Sequence, residues 1–138
     1  MKLFKLRKHE LLLQLIAFIV ATASAWAASP CAGVNRNLTH ERKAVVAPVI
    51  ARQLQDNSVE VLQSFQLGSW SIFYIASHQA DDAYVFYAHD PSTSRYITLW
   101  GGMATSDEEQ TIKAWVLKNA PGIPRGLASC FAWHVTKE

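Results

Sequence analysis

The side chains with chemistry to offer are five histidines, two cysteines and a few runs of adjacent acids. His78 stands in a turn segment with Asp81 and Asp82, His89 precedes Asp90, His40 falls at a helix start and His134 lies near the end of the chain. An imidazole beside a carboxylate is the usual means of moving a proton near neutral pH, so His78, Asp82 and His134 form the candidate acid–base set of a small enzyme. No pair has a zinc-ligand spacing such as His-x3-His or Cys-x2-Cys, and neither a metal nor a cofactor is expected. His78 and His89 fall at opposite ends of one predicted strand, roughly 20 Å apart. The acids Asp107-Glu108-Glu109 occupy a first helical turn, where the helix dipole alone accounts for them. Gly68-Ser69-Trp70-Ser71 lacks the closing glycine of a nucleophile elbow, and Gly101-Gly102 lacks the remainder of a phosphate loop. Catalysis is therefore the second reading, and a non-enzymatic role the first.

The cysteines speak to compartment. Residues 1–10 are basic, Leu11 to Ala21 are apolar apart from Gln14, and Ala25-Trp26-Ala27 is a small-x-small cleavage site. An apolar run of about 11 residues is too short for the roughly 20 that cross a bilayer, so residues 1–27 read as a cleaved export signal rather than an anchor. Cleavage after Ala27 reduces the 138 residues to a single domain of 111, residues 28–138. The signal takes four of the 13 basic and one of the 11 acidic residues, leaving a net charge near −1. A domain so balanced gives no electrostatic case for nucleic acid or for an anionic membrane. In an oxidising compartment, periplasmic or secreted, Cys31 and Cys130 have one intramolecular pairing open to them, a disulfide that encloses nearly the whole domain.

The elements that must position these groups follow from periodicity. Thr39 to Gln55 is helical, with Val46, Ile50 and Leu54 at four-residue spacing and Pro48 inside the run. Val59 to Gln66, Trp70 to Ser77, Tyr84 to His89 and Arg95 to Trp100 are β-branched and aromatic runs separated by short turn segments. Connections this brief demand an antiparallel meander. Ser106 with Glu109 predicts a capping box ahead of a helix carrying Ile112, Trp115 and Val116, which Pro121-Gly122 ends. Leu127 to Val135 reads as a fifth strand. The expected fold is α+β in the order α-β-β-β-β-α-β, a five-stranded antiparallel sheet with helices on one face.

Both faces of the predicted strands are rich in large apolar groups, whereas a sheet covered on one side needs only one such face. An uncovered face bearing Trp70, Tyr74, Tyr87, Tyr96 and Trp100, beside the preorganised loop Pro121-Gly122-Ile123-Pro124, would suit docking of another protein. The leading expectation is thus an exported protein-binding domain, in its most concrete form an inhibitor or immunity-type protein whose partner is an exported enzyme or toxin acting on the cell wall. A homodimer across that face and a small-ligand module with an aromatic cavity between helices and sheet are the other expectations.

Overall fold

A computed structural model describes residues 28–138 of the chain; the export signal read over residues 1–27 lies outside the described residues. The first helix, α1 (His40–Leu54), starts where the Thr39 hydroxyl accepts a hydrogen bond from the Arg42 N–H at 3.1 Å. It ends at Gln55, whose left-handed backbone lets its N–H reach the carbonyls of Ala51 and Arg52. The helix runs through Pro48 and buries Val46, Ile50 and Ala51.

Four antiparallel strands follow in meander order: β1 (Val59–Leu67), β2 (Trp70–Ser77), β3 (Ala83–Tyr87) and β4 (Thr98–Trp100). β2 has the bounds its sequence predicts, but β4 is half the expected length. Residues 90–97 instead form a loop built on Asp90, whose carboxylate accepts from the Ser92 N–H and whose carbonyl accepts from the Ser94 hydroxyl, both at 2.8 Å. The β1–β2 ladder carries one irregularity. Val61 pairs with Ile75 and Gln63 with Tyr74, so Leu62 is an extra residue, a bulge, and the strand changes phase there. Before it, Val59 and Val61 face α1; after it, Gln63, Phe65 and Leu67 face the other side.

Two further helices complete the chain, α2 (Glu109–Asn119) and α3 (Arg125–Lys137). The predicted fifth strand is therefore helix α3, and the order is α-β-β-β-β-α-α. Its buried residues Leu127, Ala128, Cys130, Phe131, Ala132 and His134 follow a helical rather than a two-residue period, and two alanines favour the helix. The predicted Ser106–Glu109 capping box does not form. The Thr105 N–H donates to the Glu108 carboxylate at 2.7 Å in the turn ahead of the helix, and Glu109 is the first helical residue, with no side-chain cap.

The helices do not share one face. α1 covers one side of the sheet, burying Val61, Phe73, Ile75, Val85 and Tyr87. On the other side, Phe65, Trp70, Ile72 and Phe86 meet Ile112 and Val116 of α2 and Leu127 and Phe131 of α3. Two apolar sheet faces are thus explained by two cores in a three-layer packing. Cys31 and Cys130 form a disulfide that holds the segment before α1 to α3. Nearby, Asn35 exchanges both backbone hydrogen bonds with Gln66 at 2.8 Å, which covers that part of the β1 edge. No helix among the described residues is long and apolar enough to cross a membrane. The bonded cysteine pair is compatible with a protein that works outside the cytoplasm.

Candidate functional site

The sequence-predicted contact residues scatter once the sheet is covered on both sides. Tyr87 is fully buried under α1 and Trp70 is buried under the opposite core, so neither stands on a free surface. Tyr96 is half-buried, its N–H given to the Gln53 side chain at 3.1 Å. In the loop between α2 and α3, Pro121 and Gly122 are exposed, Pro124 half-buried and Ile123 buried. Gly122 has φ +89°, and a Cβ there would lie 3.7 Å from the Trp70 ring, so the loop is packed onto the sheet as a helix-to-helix connection.

Tyr74 and Trp100 are brought together. They line an open cleft of about 710 Å³ at one end of the sheet, with Gln63 from β1, Tyr84 from β3, the 81–82 turn, the 101–104 loop and the last turn of α3. The register explains the convergence. Tyr74 pairs with Gln63 on one side and with Tyr84 on the other, and Tyr84 pairs with Trp100, so the four side chains form a row across the same sheet face. Tyr74 and Tyr84 stack with centroids 4.5 Å apart and planes 20° from parallel. Trp100 tilts against Tyr84 at 5.9 Å, and Phe131 of α3 supports both edge-on at 5.0 and 5.5 Å. The loop after β4 closes down on the turn before β3: a Cβ on Gly101 would lie 3.4 Å from the Asp82 carbonyl oxygen. Met103, on that loop, is fully exposed at the rim.

Of the candidate acid–base set, Asp82 and His134 line this cleft, while His78 stands exposed on the β2–β3 connection outside it. Asp82 accepts from the Tyr74 hydroxyl at 3.4 Å and the Ser77 N–H at 3.3 Å, both long bonds. His134, only 5% exposed, lies edge-on to Phe65 at 4.9 Å. The Glu138 carboxylate is in close contact with its Nδ1. Burial holds His134 below the ordinary imidazole range, outweighing the pull of Glu138, so it is neutral at pH 7. Burial also pushes Tyr84 up to about 12, and burial with the Asp82 charge raises Tyr74. No hydrogen bond or ion pair joins Asp82 to His134.

One site residue has no signature in the sequence. Gln63 enters the cleft because the Leu62 bulge turns it there, and its Oε1 is sealed from solvent with no hydrogen-bond partner. A buried acceptor left open costs about 1–3 kcal/mol relative to one that is satisfied. Among the described residues, no group of three or more His, Cys, Asp or Glu side chains is placed to hold a metal ion. Comparison with protein-family models, with curated proteins and with solved structures finds no match to this chain.

Proposed function

We propose that the chain is an exported binding domain, periplasmic or secreted, that seats a small organic ligand in the cleft between the sheet end and α3. The observation that carries the reading is the row Gln63, Tyr74, Tyr84 and Trp100 lining a cleft of about 710 Å³. That volume and an aromatic lining with a few convergent polar atoms are what small-ligand sites have in common. Binding is favoured over acid–base catalysis because the groups that would exchange a proton are engaged apart from each other. Asp82 is held by Tyr74 and Ser77, and His134 faces Glu138. Export rests on the reading of residues 1–27 and on a disulfide that a reducing cytosol would not maintain.

The test is a thermal-shift and NMR screen of the disulfide-intact protein purified from the periplasm. A ligand that raises Tm and perturbs the Trp100 indole resonance, and does neither in Tyr74→Leu, supports the reading. A chemically broad set of small molecules that leaves both readouts unmoved at millimolar concentration overturns it.

One observation favours a protein partner instead. Met103 is fully exposed at the cleft rim, an apolar side chain of the kind that partners cover. In that reading the domain is an inhibitor or immunity-type protein whose cleft receives a loop of an exported enzyme. Stoichiometric capture of one periplasmic protein, abolished by Met103→Asp, would select it over the small-ligand reading.

A further inference from the structure

The charge of the cleft is negative. Asp81, Asp82 and Glu138 bring three carboxylates to the lining. Asp82 is held only by its two long bonds, and the one formal partner of Glu138 is an imidazole kept neutral by burial. Gln63 adds a sealed acceptor without a donor. The one lining cation, Lys137, is already committed, its Nζ donating to the Ser106 carbonyl at 3.0 Å and pairing with Glu109 at 3.5 Å. The next nearest cation, Arg36, lies over the Phe65 ring at 3.8 Å, on the β1 side.

Aromatic surface completes the pattern. Tyr84 and Trp100 meet at 56°, and the Tyr74–Tyr84 stack continues the wall. Burial pushes Tyr84 up to about 12, so its phenol stays protonated under ordinary conditions, and among the described residues the cations found over aromatic rings, Arg36 and Arg42, lie over Phe65 and Phe73. Aromatic walls with carboxylates at the rim are complementary to a ligand that carries both positive charge and N–H donors. An anion would meet three carboxylates, and a neutral polyol would satisfy the acceptors but leave the charge unanswered.

We infer that the cleft selects an organic cation, an ammonium or guanidinium group on a short apolar body, with Asp82 receiving its donors and Tyr84 and Trp100 its charge and body. This inference rests on the small-ligand reading above and names the ligand class for the same site. The same group is found on free amines and on lysine side chains, so the probes must separate the two.

The experiment is NMR titration and calorimetry of the full disulfide-intact domain with phenethylamine, phenylethanol and phenylacetate, which share a body and differ in charge. N-acetylglucosamine serves as a neutral sugar, and N-acetyl-lysine methylamide as a peptide-borne cation. Phenethylamine is expected to bind about tenfold more tightly than either aromatic isostere, to weaken with added salt, and to lose most of that preference in Asp82→Asn. Tighter binding of the lysine derivative would keep the cation and assign it to a protein side chain. Equal or tighter binding of phenylethanol or the sugar, lost in Tyr74→Leu, overturns the cation assignment and leaves the binding cleft standing. If no probe of any charge moves the Trp100 or Tyr84 resonances, the cleft reading itself fails with it.

Discussion

Gln53 of α1 uses all of its hydrogen-bonding capacity in one place. Its Nε2 donates to the Pro91 and Ser94 carbonyls at 3.1 and 2.8 Å, and its Oε1 accepts from the Tyr87 hydroxyl at 2.9 Å and the Tyr96 N–H at 3.1 Å. The residue thus ties α1 to a buried tyrosine of β3 and to the loop that delivers β4, with Trp100 at its end, to the cleft. Gln53→Ala removes all four bonds. Tyr96 and Ser94 are partly open to water and can recover a partner, but the Tyr87 hydroxyl is fully buried. One sealed hydroxyl costs about 1–3 kcal/mol and the remaining bonds about 1 kcal/mol in sum, so the expected loss is about 2–4 kcal/mol. For a domain of this size that is a Tm decrease of roughly 10–15 °C. Tyr87→Phe alone should cost about 1 kcal/mol, because Gln53 keeps its other partners. The double variant should then cost less than the sum of the two singles, with a coupling of about 1–2 kcal/mol. Urea unfolding of the four proteins by circular dichroism measures the cycle. A Gln53→Ala loss under about 1 kcal/mol, or strict additivity, would refute the picture of a sealed hydroxyl that depends on Gln53.

Four further outcomes are expected. Replacing Cys31 and Cys130 by alanine releases a link of sequence separation 99 and should lower stability by about 3–4 kcal/mol in the same assay; a change under about 1 kcal/mol would show that the oxidised and reduced chains unfold from similar ensembles. Phe131→Ala removes the ring that supports Tyr84, Phe86 and Trp100 and should cost about 3–5 kcal/mol, with loss of near-ultraviolet dichroism from the aromatic wall as the companion signal. His134 has a folded pKa below 6.5, so the unfolded chain binds the proton more readily; its contribution is complete above pH 6.5 and is lost as pH falls through the lowered folded value. His134→Gln should therefore flatten the stability–pH slope just below pH 6.5, and an unchanged slope would remove that assignment. At the alkaline end Tyr87 is pushed up to about 12 by burial, so its share of stability is complete below pH 10 and is lost as pH rises towards 12; Tyr87→Phe should soften the alkaline unfolding limb, and an identical limb would count against it.

Much of the scaffold could be read from local pattern. β2 lies between Gly68-Ser69 and a polar turn, and its bounds agree with the prediction. Thr39 caps α1 as a threonine ahead of an apolar stripe should. The pairing of Cys31 with Cys130 needed only an even count and an oxidising compartment. Leu127 to Val135 reads as a strand, but Leu127, Phe131 and Val135 stand at four-residue spacing with Ala128 and Ala132 between, which is the pattern of the helix α3. The aromatic-face reading had the right observation and the wrong geometry. Two apolar faces meant two cores, and with the last element a helix there was a second layer available to cover them. The cleft was legible only in fragments. Tyr74 and Trp100 were singled out for their surface chemistry, and Asp82 and His134 for theirs, but their meeting depends on cross-strand register and on α3 ending beside β3. Gln63 could not be found this way, since a polar residue at an odd position of β1 reads as one more member of the face that bears Val59 and Val61.

That phase change has a consequence for how the domain can vary. β1 carries one more residue than its partner requires, and the surplus sits at the boundary between the half that serves α1 and the half that serves the cleft. Omitting Leu62 would leave every other pairing intact, Val61 with Ile75 and Gln63 with Tyr74, and give a straighter strand. Omitting Gln63 would also straighten the strand, but it would move leucine into the row of aromatic side chains and replace an acceptor with a hydrocarbon. A single residue lost at one of two adjacent positions thus either keeps the glutamine in the row of aromatic side chains or puts a leucine there, with Val61 and Phe65 left in their cores.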